Sequence, residues 1–384
     1  MTTATDLPGY AVVRTTTRPE APTPLRTDVA GFAGRAPHGL TGQAVIVHNA
    51  DELERFFPNV ASQRLGVAVR GYLDNGGQVA CVLRLDDAQD PATAYEQVQA
   101  LLDAPQVSLL VLPDLWDDLG AAAPELIERL AAAAHERLDR MLVVDLPREA
   151  PDTLAALGLL DDLLAEPQAR AVALYHPWIR VEERPGAAGG RLATVPPSGH
   201  VAGLISRLDR EQGPGRSPAN APLVGVVDVD GAPPPPAEAD LVAGRVNPIR
   251  CVPGTGLQLW GARTFGRAPS GRFIAHRRLL HRLVRAARQA GEALVFENDG
   301  PQLRLALAQA LRTVLLQAYR SGALAGRTDE QAFSVRCDDT TTLPADSNAG
   351  RVVCEIQFTP AFPMELIRVQ IGVAAEGRLE VIEL

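Results

Sequence analysis

Through residues 29–182, short stretches with the apolar spacing of strands alternate with longer stretches that have the apolar spacing of helices. Short apolar runs that fit strands include VAGFAGR (29–35), QVACVLRL (78–85) and RMLVVDLP (140–147), and longer stretches with helical spacing, such as 123–139, lie between them. Regular alternation of this kind predicts a three-layer α/β domain with a largely parallel sheet.

The second part of the chain, residues 183–375, has a different order of elements. Two long helical stretches, 272–290 and 301–321, are followed by several strand-like runs. This order predicts an α+β domain. The chain ends in a further apolar run, RLEVIEL, so residues 376–384 are expected to form a C-terminal strand or arm. Residues 1–28 hold four prolines and few core-forming residues, which predicts an extended N-terminal arm.

The composition is that of a globular protein, with 46% hydrophobic and 22% charged residues. The first residues show no signal-peptide pattern, and no apolar run approaches the ~20 residues that span a bilayer. We therefore expect assembly in the cytoplasm and no membrane insertion. The four cysteines show neither metal-ligand spacing nor a disulfide framework, which favours buried free thiols.

All 37 basic residues are arginine, so every chemistry that needs a lysine amine is excluded. There is no Walker A lysine, and no Gly-x-Gly-x-x-Gly follows the first strand-like run. These absences disfavour a nucleotide site, and no cofactor is expected.

Charge is distributed unevenly. Residues 241–291 hold ten arginines and no acidic residue, whereas the rest of the chain has 46 acidic residues against 27 arginines. A basic segment in an acidic chain suggests an electrostatic contact with something acidic, but the net charge of −9 argues against nucleic acid.

The 272–290 stretch concentrates this positive charge. Its apolar residues cluster on one side of a helix, and a separate arc carries Arg277, Arg278, Arg282, Arg285 and Arg288. With no acid inside the helix to form i, i+4 pairs, the arginines repel one another. An external acidic partner is the favoured interpretation, and a solvated basic face is the alternative.

Ser198 and His200 are the first candidates for catalysis, as a nucleophile and a base. The Gly-x-Ser-x-Gly elbow is absent, however. Ser198 fits better as the N-cap of an amphipathic helix. We predict that neither residue is catalytic.

Two further groups resemble metal or phosphate sites. Asp338 and Asp339 lie beside three threonines, but this composition is also typical of a polar turn. His276 and His281 are five residues apart, which does not place both on one helix face as i, i+4 spacing would. No metal site is therefore expected.

Several segments together resemble contractile tail sheath proteins, which form part of contractile phage tails and related injection systems. The resemblance covers most of residues 170–373 in order, and more weakly LPGYAVVRTTTRP (7–19) and DVAGFAGRAPHGL (28–40). The matching segments are YHPWI (175–179), VPPSGHVAGLISRLDREQGP (195–214), VNPIRCVPGTGLQLWGART (246–264), RFIAHRRLL (272–280), VFENDGPQLRLALAQALRTVLLQAYRSGALAG (295–326), AFSVRCDDTTT (332–342) and DSNAGRVVCEIQFTPAFPMELI (346–367).

The resemblance implies a structural subunit that polymerises as a helical tube around an inner tube and contracts to drive that tube through a target envelope. It implies self-association and contacts with the inner tube protein, the baseplate and tail-end cap proteins. The assembled product would be a phage tail or a phage-tail-like particle, in some systems released from the cell. The alternative is an α/β-domain enzyme, either a hydrolase or a nucleotide-dependent protein.

The resemblance also implies roles for particular residues. Neighbouring subunits are expected to exchange terminal strands, and the arginine arc of 272–290 is expected to contact the inner tube. The residues assigned to strand exchange are Tyr10, Val12, Val13, Leu379, Val381 and Ile382.

Overall fold

The computed structural model describes residues 26–183, 191–231, 233, 235–292, 301–348, 351–361, 367–374 and 379–383. The predicted N-terminal arm, including Tyr10, Val12 and Val13, lies almost entirely outside the described residues.

The described part of the chain alternates strands with helices before it reaches the long helices and the final strands. The strands are β1 (Val29–Gly34), β2 (Ala44–Val47), β3 (Val79–Arg84), β4 (Leu109–Val111), β5 (Met141–Asp145), β6 (Val172–His176), β7 (Trp178–Glu182), β8 (Leu192–Val195), β9 (Ala221–Pro222), β10 (Val226–Asp230), β11 (Val246–Val252), β12 (Gly256–Leu259), β13 (Phe333–Arg336), β14 (Arg351–Phe358), β15 (Ile367–Ala374) and β16 (Leu379–Glu383). The helices are α1 (Ala50–Phe56), α2 (Arg64–Asp74), α3 (Pro91–Glu96), α4 (Gln99–Asp103), α5 (Leu115–Leu119), α6 (Ala123–Arg137), α7 (Ala150–Leu163), α8 (Glu166–Ala169), α9 (Ser198–Gln212), α10 (Pro235–Ala243), α11 (Ile274–Glu292), α12 (Pro301–Arg320), α13 (Asp329–Ala332) and α14 (Pro344–Asn348).

A nine-stranded sheet with the order β2-β3-β1-β4-β5-β6-β11-β12-β9 forms the centre of the protein. The pairs from β3 to β11 along this order are parallel, and the strands at both ends are antiparallel. Both faces are buried: Ala80 and Val82 of β3 pack in one hydrophobic core, whereas Cys81 and Leu83 pack in another. The predicted three-layer α/β architecture is therefore confirmed.

This sheet continues across the domain boundary expected at residues 182–183, because β11 pairs in parallel with β6. Asn247 of β11 fixes the connection from inside: its Nδ2 donates to the carbonyl oxygens of Leu174 (3.0 Å) and Arg263 (2.8 Å), and its Oδ1 accepts from the Arg263 amide (2.7 Å). The two predicted parts of the chain thus share one sheet.

The final strands form a separate antiparallel sheet, β13-β14-β15-β16, which supports the α+β prediction. Alternate residues of β14 are buried, so one face of this sheet packs on a core and the other does not. Residues of α11 and α12, such as Leu283 and Leu315, fill that core together with Ile356 and Ile371 of the sheet. Helix α11 therefore lies between this small sheet and the rest of the protein.

Helices α2 and α9 approach each other closely because glycines face the contact. A Cβ at Gly199 would lie 2.4 Å from the carbonyl oxygen of Ala68, and one at Gly203 would lie 2.3 Å from that of Tyr72. Gly71 of α2 leaves the corresponding space for the ring of His200. The Ser-Gly-His sequence thus encodes a tight helix crossing.

We predict that Gly203→Ala destabilises the fold by about 1–3 kcal/mol, because backbone atoms must move to admit the methyl group. Gly158→Ala is the matched control, since this helical glycine of α7 has no atom within 4 Å of an added Cβ. The control should stabilise the protein by about 0.5–1 kcal/mol. Urea unfolding of both variants measures the difference, and equal stabilities would contradict the tight crossing.

Candidate functional site

Helix α11 carries the arginines that the sequence analysis assigned to a partner contact. That assignment assumed that all five arginines are exposed, and the structure corrects this assumption. Arg277, Arg278 and Arg285 are buried, with relative exposures of 1%, 1% and 8%, whereas Arg282 and Arg288 keep part of their surface. Three of the five side chains therefore do not form the exposed basic face that the prediction required.

Arg278 joins three distant parts of the chain. Its Nε donates to Asp209 Oδ2 of α9 at 3.0 Å, and its Nη1 donates to the carbonyl oxygen of Ser108 at 3.1 Å. Its Nη2 donates to the carbonyl oxygen of Thr27. Thr27 lies two residues before β1 and Ser108 lies directly before β4, so this guanidinium binds the amino ends of two neighbouring parallel strands.

Arg285 repeats the arrangement on the same face of α11, two turns further along the helix. It donates to the carbonyl oxygens of Pro105 (2.9 Å), Val107 (2.6 Å) and Asp139 (3.2 Å), which precede β4 and β5. Burial lowers the pKa of Arg285 to about 10, which leaves it charged at neutral pH.

Asp139 is the acidic centre beside Arg285. Burial alone would raise its pKa, but Arg140, Arg285 and Arg288 hold that pKa below its usual range. Arg140 Nε donates to Asp139 Oδ1 at 2.7 Å, and Arg288 also pairs with this carboxylate. Sequence reasoning missed Asp139 and Asp209 because both lie outside the acid-free segment. The charged pair Asp139-Arg140 directly before an apolar strand was the available signal.

The C-terminal strand is the second predicted site. In the structure β16 pairs with β15 of its own chain, with Val381 opposite Ile371 and Leu379 opposite Val373. The sequence analysis expected this segment to pair with a neighbouring subunit. In the single chain it pairs within its own sheet. Ile382 is 52% exposed, and β13 and β16 are the two edges of the sheet. Edge strands present main-chain groups that can pair with another chain.

Ser198 and His200 lie in the first turn of α9 and are buried. The prediction that Ser198 is the N-cap is wrong, because Pro197 takes that position. The remote Asp145 caps the helix instead: its Oδ1 accepts from the Ser198 amide at 2.8 Å. Within the described residues, His200 Nδ1 has no hydrogen-bond partner, so this atom does not activate Ser198. The arrangement is that of a packed helix start.

The remaining candidates are structural in the described part of the chain. Asp338 Oδ1 accepts from the amides of Thr340 (2.8 Å) and Thr341 (3.3 Å), as the turn interpretation predicts. His276 and His281 are both buried. No group of three or more His, Cys, Asp or Glu side chains among the described residues is placed to hold a metal ion. None of the described helices combines the length and the apolar character that crossing a membrane requires.

The expectation of buried free cysteines is wrong for three of the four. Cys337 and Cys354 form a disulfide, and Cys251 is exposed, whereas Cys81 is buried and free. The antiparallel register of β13 and β14 places Arg336 opposite Glu355, and so brings the next pair, Cys337 and Cys354, together. Sequence spacing alone does not reveal a strand register.

Comparisons with known proteins identify the overall arrangement. The chain is 26% identical to the helical sheath of the anti-feeding prophage in its contracted state, with a TM-score of 0.71, covering 94% of this chain and 98% of that one. It is 22% identical to a chain of the contracted sheath complex of the PVC extracellular contractile injection system, with a TM-score of 0.71, covering 94% of this chain and 96% of that one. The sheath tail protein of Desulfitobacterium hafniense shares the fold at 10% identity and a TM-score of 0.63, covering 95% of this chain and 99% of that one.

No protein-family model and no curated protein matches the chain. The predicted resemblance to contractile tail sheath proteins is nevertheless confirmed, since it extends over most of the chain in solved sheath structures.

We predict that Arg278→Met destabilises the protein by about 3–5 kcal/mol, because it leaves Asp209 buried without its counter-charge. Removing both charges, in Arg278→Met with Asp209→Leu, should cost less than the single change. Arg312→Met is the control, since its ion pair with Asp329 is 3.8 Å long and exposed, and it should change stability by about 0.5 kcal/mol or less. Equal unfolding midpoints for Arg278→Met and Arg312→Met in urea would refute the buried link.

Asp145 predicts a pH dependence. Burial raises its pKa from 3.8 to about 7, so the folded state holds a proton that the unfolded state has released between these values. The stability this group provides is therefore lost progressively as pH rises from about 4 to about 7. Asp145→Asn should come nearest to the stability of wild type below pH 4 and be the more stable protein above pH 7, as measured by thermal unfolding. If wild type were more stable than Asp145→Asn at pH 8, the charged Asp145 side chain would be favoured at the start of α9, and the prediction would be wrong.

Proposed function

The chain has the fold of a contractile tail sheath protein, and we propose that it is a structural subunit of a contractile sheath. Copies of the chain would polymerise into a helical tube around an inner tube, and contraction of this polymer would drive the inner tube through a target envelope. The observation that carries the proposal is the match to a contracted helical sheath over 94% of this chain and 98% of that one.

The internal links of the subunit support this function. A sheath subunit transmits force between neighbours, so its parts must move together. Arg278 and Arg285 of α11 tie the layer beneath the small C-terminal sheet to the strand entries of the central sheet. Force applied at the small sheet is thereby carried into the body of the subunit through charged hydrogen bonds, which are stronger than neutral ones.

Strand exchange is the proposed link between subunits. β16 occupies the edge of its own sheet, and an equivalent strand from a neighbour would make the same main-chain hydrogen bonds. Because the bonds lost and gained are alike, such an exchange is a low-cost route to a polymer. Leu379, Val381 and Ile382 would supply one exchanged strand, and the segment with Tyr10, Val12 and Val13 would supply the other.

The remaining partners follow from the same proposal. A sheath must be anchored at a baseplate, closed by an end cap and fitted around its inner tube. One solved structure similar to this chain is part of the anti-feeding prophage baseplate. Arg282 and Arg288 keep exposed surface and remain candidates for the inner-tube contact. Assembly would take place in the cytoplasm, and the product would be a phage tail or phage-tail-like particle. An enzymatic function is disfavoured, because the Ser198–His200 segment is built as a helix crossing.

We predict that deleting residues 378–384 or residues 1–18 leaves a folded subunit that does not build sheaths. Residues 1–18 hold few core-forming residues, and β16 is an edge strand of the small sheet and not part of the central one, whereas strand exchange depends on both segments. Circular dichroism checks folding, and electron microscopy checks assembly.

A mixing experiment provides the control. Truncated subunits added to full-length subunits should shorten the sheaths, because each truncated copy lacks one linking strand. Full-length sheaths built from either truncated protein alone would show that the terminal strands do not link subunits.

A further inference from the structure

The disulfide between Cys337 and Cys354 joins an edge of the small C-terminal sheet to its interior. Cys337 is the first residue after β13, and Cys354 lies within β14. Among the described strands, β13 pairs only with β14, so it is one of the two edges of this sheet. The disulfide therefore ties the edge strand covalently to the strand beside it.

Strand pairing alone places the two sulfur atoms together. The register of β13 and β14 sets Arg336 opposite Glu355, so Cys337 and Cys354 are directly opposed, with their Cα atoms 4.3 Å apart. Directly opposed residues of an antiparallel pair have this kind of separation, about 4.5 Å. The ion pair between Arg336 and Glu355 supports the same register without a covalent bond. The two sulfurs are thus held within reach of each other in the reduced form as well as in the oxidised form.

The loop that the disulfide closes is also attached to β14 by hydrogen bonds. The two cysteines are 17 residues apart in the chain. Between them, Thr341 Oγ1 donates to the carbonyl oxygen of Val353 at 2.7 Å, and the Val353 amide donates to Thr342 Oγ1 at 3.1 Å. These bonds do not require the disulfide, so its reduction leaves the loop attached to the sheet. The fold therefore accommodates both redox forms.

The two sulfurs differ in their access to solvent. Cys354 is 1% exposed and packs in the core beneath the small sheet, whereas Cys337 is half-buried at the end of its strand. A small thiol or disulfide reagent can therefore approach Cys337. Exchange requires attack of a thiolate on a sulfur atom, so exposed disulfides are the ones that respond to reagents in solution.

The two other cysteines lie in a different part of the fold. All four cysteines belong to the described part of the chain, and Cys81 in β3 and Cys251 in β11 are both strand residues of the central sheet. Cys81 is buried in a core of that sheet. The chain thus encodes a single intramolecular pair.

We propose that Cys337 and Cys354 form a redox-sensitive lock on the small sheet: a dithiol while the polymer assembles, and a disulfide once it meets an oxidising solution. The oxidant is a small disulfide of the glutathione type. The Cys337 thiolate attacks this reagent, forms a mixed disulfide and releases one small thiol. The Cys354 thiolate then attacks Cys337 Sγ and releases the second. Two electrons and two protons pass from the pair to the reagent.

The lock acts on the sheet where strand exchange is proposed, so the inference rests on the proposed function. That function places assembly in the cytoplasm, where thiols are kept reduced, and action at a target envelope outside it, where disulfides persist. Closing the loop removes conformational freedom from the unfolded chain. The oxidised polymer should therefore resist denaturation better than the reduced polymer from which it forms.

A count of free thiols tests the lock. The full-length Cys251→Ser protein, which lacks the exposed free thiol, is equilibrated in mixtures of reduced and oxidised glutathione, quenched with acid and labelled with a maleimide in denaturant. Three cysteines remain, so we expect three labels per chain in reduced glutathione and one in oxidised glutathione. Three labels at every ratio, or one label at every ratio, would overturn the proposal, because the pair would then not respond to redox conditions.

Cys337→Ser in the same background is the matched control, since it removes the half-buried partner and keeps Cys354 in the core. Oxidation should raise the folded-to-unfolded ratio of Cys251→Ser about a hundredfold, as measured by urea unfolding, because a loop of this length is closed. The control should show no change. An equal effect in both proteins, or none in either, would overturn the lock.

Electron microscopy separates this inference from the proposed function. Sheaths of Cys251→Ser should assemble in reduced glutathione and, after oxidation, should dissociate at a higher urea concentration than sheaths that are kept reduced. Sheaths that dissociate at the same urea concentration in both forms would overturn the lock and leave the sheath function intact. Absence of any polymer in either buffer would overturn the sheath function, and the thiol count of the subunit would still decide whether the pair responds to redox conditions.

Discussion

The arrangement depends most on the buried guanidinium groups of α11 and the strand entries that they bind. Parallel strands begin with carbonyl groups that need donors, and here Arg278 and Arg285 supply them for β1, β4 and β5. Asp209 and Asp139 balance the charge. Because α11 also contributes to the core beneath the small sheet, these contacts hold the C-terminal sheet against the central one. They add charged hydrogen bonds to the apolar packing between the two layers.

A second constraint is the crossing of α2 and α9, where glycines allow the helix backbones to approach. Asp145 at the end of β5 then fixes the start of α9, and Asp209 further along α9 binds Arg278. One helix is therefore tied to the carboxyl end of the central sheet at its start and to α11 near its end. Asp145 and Asp209 thus fix the two ends of α9 from different parts of the chain.

The sequence predicted the layers of the fold well, because both-face burial gives the central strands continuous apolar runs that are easily recognised. It could not show that β11 extends the sheet beyond residue 182, since parallel pairing between β6 and β11 leaves no local signal. The arginine helix was misread for a related reason. Its amphipathic pattern was correct, but the acids that neutralise it, Asp139 and Asp209, are distant in sequence and are brought to it only by folding. The disulfide of Cys337 and Cys354 likewise depends on a strand register.

The central claim is that this chain polymerises as a contractile sheath, and cryo-electron microscopy of the purified full-length chain tests it most directly. The account predicts hollow helical tubes in which each subunit fits the present fold and exchanges terminal strands with its neighbours. A chain that stays monomeric, or forms only small closed oligomers at high concentration, would contradict it.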